Sequence, residues 1–302
     1  MSKRIQNMAA SVHERLLNMA KQDRRSFNEL LQYFAMDRFL YRWSKSPHAK
    51  RMILKGALML KVWEANEFRS TKDIDILAKN TSNDLASMVQ IVKDVAKVPI
   101  EPDGLAFHED TVVAERITED ADYEGVRIRF KGNLGNAVIS MQIDVGFGDI
   151  VHPGPIDIDL PSMLEFPKAH LLCYSMESAI AEKFQAMVYL GDANSRIKDF
   201  FDIYTLSRQF DFDGITLAEA IQLTFRNRAT EIPSEVDSFR REFITMKESQ
   251  WKAFRAKLGH GEMPESFDAI IKQISEFLLP VCKTTSPNNL IPEIWNAPGP
   301  WR

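Results

Sequence analysis

Two aspartates separated by one residue, Asp73 and Asp75, have the spacing in this 302-residue chain that most directly suggests chemistry. In a β-strand, residues i and i+2 point to the same side with Cα atoms about 6.6 Å apart. Two carboxylates held that close repel each other, and a divalent cation between them removes the repulsion. Aspartate is also uncommon inside strands. The pair therefore indicates a metal site, although a simple strand-end pair without a metal is the alternative.

A third carboxylate strengthens the metal hypothesis. Asp144 lies near the end of the apolar segment 138–145 and is followed by Gly146 and Gly148, which allow close backbone approach. If this segment lies beside the strand of Asp73, three carboxylates meet at one sheet edge. Such a set can hold two cations about 3.5–4 Å apart for phosphoryl transfer. We therefore predict that Asp73, Asp75 and Asp144 bind Mg²⁺ or Mn²⁺.

A glycine upstream of the aspartates is the second candidate element. Gly56 interrupts an apolar segment, residues 52–63, and Lys55, Gly56 and Ala57 would let backbone amides at a helix N-terminus approach phosphate oxygens. Helix packing at Gly56 explains the glycine equally well.

The elements that position these residues follow from hydrophobic periodicity. Strict alternation predicts a strand over 72–77, followed by a helix over 81–97 that begins at Thr81, Ser82 or Asn83. Three further strands form a meander over 111–119, 126–134 and 137–145. Helical patterns cover 10–45, with a capping box from Ser26 to Glu29 and an end at Ser46-Pro47, and then 176–190, 196–209, 216–228, 236–258 and 266–280.

This order predicts an α+β protein with a mixed or antiparallel sheet. We divide it into a basic helical arm (1–48), an α/β core (49–165) and a helical C-terminal region (166–302). With 45% hydrophobic residues the chain is neither disordered nor fibrous. No apolar run reaches the roughly 20 residues of a membrane helix, and residues 1–16 lack a signal-peptide core, so we expect a cytoplasmic protein. Cys173 and Cys282 are expected to be buried and unpaired.

The net charge of −4 conceals a strong asymmetry. Residues 1–55 carry twelve basic and four acidic side chains, a net +8, which leaves −12 on the rest. A basic arm can contact nucleic-acid phosphates, whereas a solvated helical face is the plainer interpretation.

Several motifs together resemble a known family. Gly56, the segment Arg69-Ser-Thr-Lys-Asp73-Ile-Asp75-Ile, the segment Ala181-Glu-Lys183-Phe-Gln-Ala and the segment Arg196-Ile-Lys-Asp199-Phe-Phe-Asp-Ile-Tyr are similar to the AbiEii/AbiGii nucleotidyltransferase toxins. These are the toxin halves of bacterial abortive-infection toxin–antitoxin pairs and include the mycobacterial MenT enzymes. The resemblance extends over about residues 26–210.

The resemblance implies a polymerase β-like nucleotidyltransferase fold with Mg²⁺ held by Asp73 and Asp75. It also implies that Lys183 and Asp199 are needed for activity, Lys183 as a compact cation for the triphosphate. Asp144 matches the family pattern less closely. In polymerase β-like enzymes a third carboxylate on a later strand acts as general base for the acceptor hydroxyl, and the resemblance implies that role for Asp144. Arg69 and Lys198 are phosphate-neutralising residues or salt-bridge partners. Thr71 matches a hydroxyl that an antitoxin kinase phosphorylates in some relatives, which would repel the triphosphate.

The function implied is transfer of a nucleoside monophosphate from an NTP to RNA, most simply the 3′ end of tRNA, which blocks translation. A cognate antitoxin encoded nearby is the expected protein partner. The candidate RNA contacts are the basic arm and four later arginines, Arg226, Arg228, Arg240 and Arg241. The aromatic residues interleaved in the arm could stack on bases, although we expect most of them to belong to the core: Phe27, Tyr33, Tyr41 and Trp43. Transfer to a protein side chain and a catalytically silent binding protein remain alternatives. Metal-assisted phosphohydrolysis is disfavoured because the six histidines are scattered.

Overall fold

The structure is a computed structural model that describes residues 7–65, 69–118, 124–258, 263–282 and 293–302. As predicted, the protein combines helices with a mixed β-sheet. Its contacts divide the chain into two compact units. The sheet unit comprises Met1–Val62, Ser70–Gly148 and Ile156–Cys173, and the helical unit comprises Trp63–Arg69, Asp149–Pro155 and Tyr174–Arg302. These units are defined by contacts rather than by chain order, so the three segments assigned from sequence stay a prediction.

A seven-stranded sheet is the centre of the sheet unit within the described residues. The elements of this unit are α1 (Met8–Asp23), α2 (Phe27–Lys45), β1 (Met52–Lys55), α3 (Leu58–Val62), β2 (Ile74–Ala78), α4 (Leu85–Ala96), β3 (Leu105–Thr118), β4 (Glu124–Leu134), β5 (Ala137–Phe147), β6 (Ile156–Asp159) and β7 (His170–Cys173). The strands lie in the order β3-β4-β5-β2-β1-β7-β6. β2 runs parallel to β5 and antiparallel to β1, and β1 runs parallel to β7.

Alternation along the strands separates a buried face of the sheet from a polar one. Ile74, Ile128 and Ile143 are each exposed by 1% or less, and they lie on three strands that are neighbours in the sheet. The ring of Phe39 from α2 lies 5.0 Å from Phe130 of β4, so this helix covers the buried face. The residues that alternate with these isoleucines along each strand point to the opposite face of the sheet. They include Asp75 of β2 and Asp144 of β5.

The helical arm differs from the prediction in detail. Residue Arg24 adopts a left-handed conformation with φ 54°, which ends α1 and separates it from α2. Ser26 does precede α2, but its side chain makes no capping hydrogen bond, so the predicted capping box is not formed. The predicted start of the next helix is also wrong, because the carboxylate of Asp84 caps α4 by accepting from the Ser87 N–H. Lys3 and Arg4 of the basic arm lie outside the described residues.

The helical unit contains the C-terminal helices close to their predicted positions. Phe200, Phe243 and Phe267 form an aromatic core with ring centroids 5.3–6.3 Å apart. Two short strands pair beside these helices. The elements are α5 (Met176–Leu190), α6 (Ile197–Gln209), β8 (Phe212–Asp213), α7 (Gly214–Asn227), α8 (Arg241–Leu258), α9 (Phe267–Cys282) and β9 (Ile294–Trp295). None of the helices in the described ranges is both long and apolar enough to span a bilayer.

Both cysteines are buried and unpaired, as expected. Burial raises the pKa of the Cys173 and Cys282 thiols to about 12, because a thiolate is poorly solvated there. Neither thiol is therefore a nucleophile at neutral pH.

Candidate active site

The parallel pairing of β2 with β5 brings three carboxylates together. Asp75 lies directly opposite Asp144 in the register. Asp73, Asp75 and Asp144 each offer a carboxylate oxygen, and these oxygens all lie within 4.8 Å of one another. The convergence expected from sequence is thus present in the sheet unit.

The apolar residues around the aspartates set this register. Ile74, Ile76 and Ile143 are exposed by no more than 2%. A slip of one residue in either strand would bury a carboxylate and expose an isoleucine, which is strongly unfavourable. Hydrophobic burial on one face therefore holds the charged cluster on the other.

Gly56 is a close-approach residue for this cluster. It follows β1 with φ 75°, and a Cβ atom built there would lie 1.9 Å from Asp75 Oδ2. The glycine therefore leaves room for the Asp75 carboxylate, in addition to permitting a left-handed backbone. Neighbouring Lys55 lies opposite Asp75 in the β1–β2 register, and Lys55 and Ala57 are buried. Their contact with phosphate stays a prediction.

Arg127 contacts the carboxylate cluster and was not among the residues predicted from sequence. Its Nε and Nη2 donate to Asp144 Oδ1 and Oδ2 at 2.8 and 2.7 Å. The hydrogen bonds with Asp144 raise the pKa of Arg127. Arg127 faces Asp144 across the β4–β5 hairpin. A turn centred on Gly135-Asn136 fixes that pairing, so counting outward from the turn would have found it.

Thr71 lies beside the first aspartate. Its N–H donates to the Tyr33 hydroxyl at 3.0 Å, and its own hydroxyl donates to Asp73 Oδ1. Thr71 is buried. Phosphorylation of this hydroxyl stays a prediction, and a phosphate there would lie directly against the carboxylate cluster.

A second charged cluster lies in the helical unit. Lys183 Nζ of α5 lies 2.9 Å from Asp199 Oδ1 and 2.8 Å from Asp202 Oδ2 of α6. Asp202 also accepts two hydrogen bonds from Arg69, at 2.9 and 3.0 Å, and Asp199 pairs with Arg196 at 2.7 Å. Asp202 was not predicted, although its spacing of three residues from Asp199 on one helix is the signal that could have found it.

Opposite charges keep this cluster ionised. Burial works to lower the pKa of Lys183, but the charges of Asp199 and Asp202 outweigh it and raise that pKa above its ordinary value. Burial works to raise the pKa of Asp199, but Lys183 and Arg196 hold it below its ordinary value. The cluster is a rigid, charge-alternating group that positions the Lys183 ammonium.

Several predicted phosphate and RNA contacts are already engaged within the chain. Arg69 is a salt-bridge partner of Asp202, which was the alternative to phosphate binding. The prediction that Arg228 contacts RNA is wrong. The Arg228 side chain is mostly buried and pairs with Asp149 and Glu182 at 2.9 and 3.4 Å. Those carboxylates raise its pKa against the effect of burial. Arg240 pairs with Asp237 at 2.6 Å, whereas Lys198 and Arg226 are exposed.

The basic arm is also less available than its sequence indicates. Arg38 and Arg42 are buried and bind Asp103, with the closest contact 2.7 Å from Arg42. The aromatic side chains Tyr33, Tyr41 and Trp43 are buried in the core and cannot stack on bases in this structure. The buried Arg38 and Arg42 contradict the prediction that the whole arm contacts RNA. The burial of Tyr33, Tyr41 and Trp43 agrees with the expectation that most of the aromatic residues of the arm belong to the core.

A mixed sheet with three clustered carboxylates, Asp73, Asp75 and Asp144, is the arrangement expected of a nucleotidyltransferase, and solved structures share the fold. A protein from H. pylori described as a nucleotidyltransferase matches with a TM-score of 0.50 and 14% identity, over 86% of this chain and 99% of its own. JHP933 from Helicobacter pylori matches with the same score, identity and coverage of this chain, over 95% of its own. At this identity the likeness shows the fold alone.

The family follows from the sequence match. Residues 38–273 match the family described as the nucleotidyl transferase AbiEii toxin, type IV toxin–antitoxin system. The chain therefore belongs to the AbiEii family, is a nucleotidyltransferase, and has an antitoxin as its expected partner. No curated protein matches the chain.

Proposed function

We propose that this protein is a Mg²⁺-dependent toxin that transfers a nucleoside monophosphate from an NTP to an RNA hydroxyl, most simply at the 3′ end of tRNA, in the bacterial cytoplasm. The observation that carries the proposal is the carboxylate cluster of a nucleotidyltransferase, with three oxygens within 4.8 Å of one another. Modification of that RNA end would stop translation.

The donor set suits a hard divalent cation. Carboxylate oxygens are the ligands preferred by Mg²⁺ and Mn²⁺, and Asp73 and Asp75, with Asp144 as the third group, would hold the ion. When bound, the metal supplies charge neutralisation for the triphosphate and activation of the acceptor hydroxyl.

The residues of the chain supply orientation and proton transfer. A bond forms between the acceptor oxygen and the α-phosphorus, the bond to pyrophosphate breaks, and the hydroxyl proton passes to a carboxylate, for which we assign Asp144. Arg127 fixes the orientation of Asp144 through two hydrogen bonds. Lys183, which the resemblance implies is needed for activity, makes two contacts within the helical unit, to Asp199 and Asp202.

A labelling experiment tests the proposal. Purified protein, Mg²⁺ and radiolabelled NTPs should label bulk tRNA. Asp73→Asn should reduce the label by about 100-fold or more, because the cluster loses a ligand charge and metal stabilisation is worth several kcal/mol. Asp157→Asn is the matched control, since the Asp157 side chain is 66% exposed and outside the cluster. Equal labelling by Asp73→Asn and wild type would contradict the metal assignment.

Two alternatives give different results in the same reaction. Transfer to a protein side chain would produce a label removed by protease and resistant to RNase. A silent binding protein would give no label and no Mg²⁺-dependent NTP binding. The neighbouring reading frame bears on the biology, because a small antitoxin gene immediately upstream is expected of a toxin–antitoxin pair.

A further inference from the structure

A groove of about 440 Å³ opens beside the carboxylate cluster in the sheet unit. Asp73 lies in its wall, so the groove reaches the first residue of the candidate metal site. It lies along the polar face of β4 and β5, where Arg129 is opposite Gln142 and Lys131 is opposite Ser140. Its volume is in the range of sites that enclose small organic groups.

Specific hydrogen bonds hold the two walls of the groove in place. Gln32 of α2 donates to the Lys72 carbonyl at 3.2 Å and to the Ser140 carbonyl at 3.1 Å, which ties the entry of β2 to β5. On the other side, the pairing of β3 with β4 shifts between His108 and Val113. The Lys131 N–H there donates to the Thr111 hydroxyl at 2.9 Å. The groove is therefore a preformed feature of the sheet.

The lining of the groove combines positive charge with an apolar surface. Lys72, Arg129 and Lys131 supply three cations, and Asp73 is the one acidic residue among the described residues that line it. Arg129 pairs with Glu115 at 2.6 Å, so Lys72 and Lys131 carry the uncompensated charge. Val113 is 61% exposed at the same place. A positively charged groove that follows the phosphate backbone is typical of surfaces that bind single-stranded nucleic acid.

We propose that this groove holds the single-stranded 3′ segment of the RNA acceptor, with Lys72 and Lys131 against its phosphates and Val113 against a sugar or base. The inference rests on the proposed function, because the bound strand leads its terminal hydroxyl toward Asp73. It relocates the RNA contact from the N-terminal arm, where Arg38 and Arg42 are buried against Asp103, to the sheet.

RNA binding without catalysis tests the groove. The probe is a 5′-fluorescein single-stranded RNA that ends in CCA, titrated with full-length protein in the absence of NTP and metal, and followed by fluorescence anisotropy. Each phosphate contact to a single strand contributes about 0.7 to the slope of log K against log salt, or about fivefold in affinity near 0.1 M salt. Lys131→Ala and Lys72→Ala should each lose about that much affinity and slope.

Lys168→Ala is the matched control, because Lys168 is an exposed lysine of the sheet unit that does not line the groove. It should bind as wild type does, and thermal unfolding verifies that all three variants are folded. Equal losses in the control and the groove variants would show diffuse attraction and overturn the proposal. Unchanged binding by Lys131→Ala and Lys72→Ala would overturn it as well, as would strong binding of an acidic protein partner but not of RNA.

The outcome separates this inference from the proposed function. Groove-dependent RNA binding by a protein that labels no RNA would refute nucleotidyl transfer to RNA and leave the groove as an RNA-binding site. RNA labelling that persists at wild-type KM in both lysine variants would refute the groove and leave the activity standing.

Discussion

The contact between Gly56 and Asp75 shows how one missing Cβ atom makes room for a charged group. Pairing with Lys55 and Asp144 fixes the backbone of Asp75. A Cβ atom at position 56 would also lie 2.7 Å from the Asp75 Cβ atom, so rotation of the Asp75 side chain cannot relieve the overlap. A side chain at position 56 would therefore be opposed by two strands of the sheet and by its own backbone conformation.

We predict that Gly56→Ala lowers the free energy of unfolding by more than ~2 kcal/mol and abolishes metal-dependent activity. A left-handed alanine costs about 1–2 kcal/mol, and the overlap with Asp75 Oδ2 adds overpacking. Gly135→Ala is the control, because Gly135 has φ 56° but a Cβ atom at that position would have its nearest neighbour 3.9 Å away. Chemical denaturation measures both. Equal losses would mean that backbone strain alone accounts for the effect.

The Lys183 cluster has a defined pH dependence. The pKa of Lys183 is raised above 10.5, so its contribution is complete below that value and is lost as pH rises through the raised pKa. The pKa of Asp199 is lowered below 3.8, so its contribution is complete above 3.8 and is lost as pH falls through the lowered pKa. The stabilising effect is therefore greatest between these limits.

We predict that Lys183→Met lowers the free energy of unfolding by about 3–5 kcal/mol at neutral pH, because it removes one partner of a buried ion pair. The difference from wild type should shrink below about pH 4, as Asp199 becomes protonated in both proteins. Denaturation curves across pH provide the measurement, with Lys198→Met as the exposed control. A difference that does not change with pH would contradict the ionised state of the cluster.

Secondary-structure elements were predictable where a periodic pattern is long. The helices α5 and α6 and the hairpin of β4 and β5 lie within two residues of their predicted bounds. The break between α1 and α2 was not predicted, because the left-handed residue there is an arginine and not a glycine. Helix starts were uncertain because several polar residues precede α4, and only the three-dimensional structure shows that Asp84 is the one that accepts the hydrogen bond.

The anchor of α2 is a buried ionic group, and it explains why Arg38 and Arg42 of the basic arm are not exposed. Asp103 accepts from Arg42 at 2.7 and 3.0 Å and from Arg38 at 3.4 Å. Asp103 also accepts from the Leu105 N–H at 3.0 Å, at the start of β3. One carboxylate thus joins the helix to the edge of the sheet.

We predict that Asp103→Ala lowers the free energy of unfolding by about 3–5 kcal/mol, because two guanidinium groups lose their buried counter-ion. Glu109→Ala provides the comparison. Its partner Lys97 is 60% exposed, so the loss should stay below about 1 kcal/mol. Thermal or urea unfolding distinguishes the two. A small loss for Asp103→Ala would mean that the arginines find water or other partners, and that the arm is held by packing alone.

Considered as a whole, the molecule shows what charge totals can and cannot predict. The excess of +8 over residues 1–55 is correct arithmetic, but Arg38, Arg42 and Lys55 are buried, and ion pairing is invisible in a sum. The three carboxylates were predictable because their spacing and the strand pattern are local. Asp202 and Arg127 were missed because their partners Lys183 and Asp144 are 19 and 17 residues away in the chain. The local signals that could have found them are the spacing of Asp202 from Asp199 and the register of the β4–β5 hairpin.

The parallel pairing of β2 with β5 also has a consequence during synthesis. Asp75 and its partner Asp144 are separated by 69 residues, and a parallel pair cannot form through a tight turn. Such a long-range contact requires the entropy of closing the intervening loop to be overcome, which slows folding. A nascent chain that ends before β5 contains two of the three carboxylates and has no strand to hold them in register. Premature termination upstream of residue 144 therefore releases a fragment in which the carboxylate cluster cannot assemble.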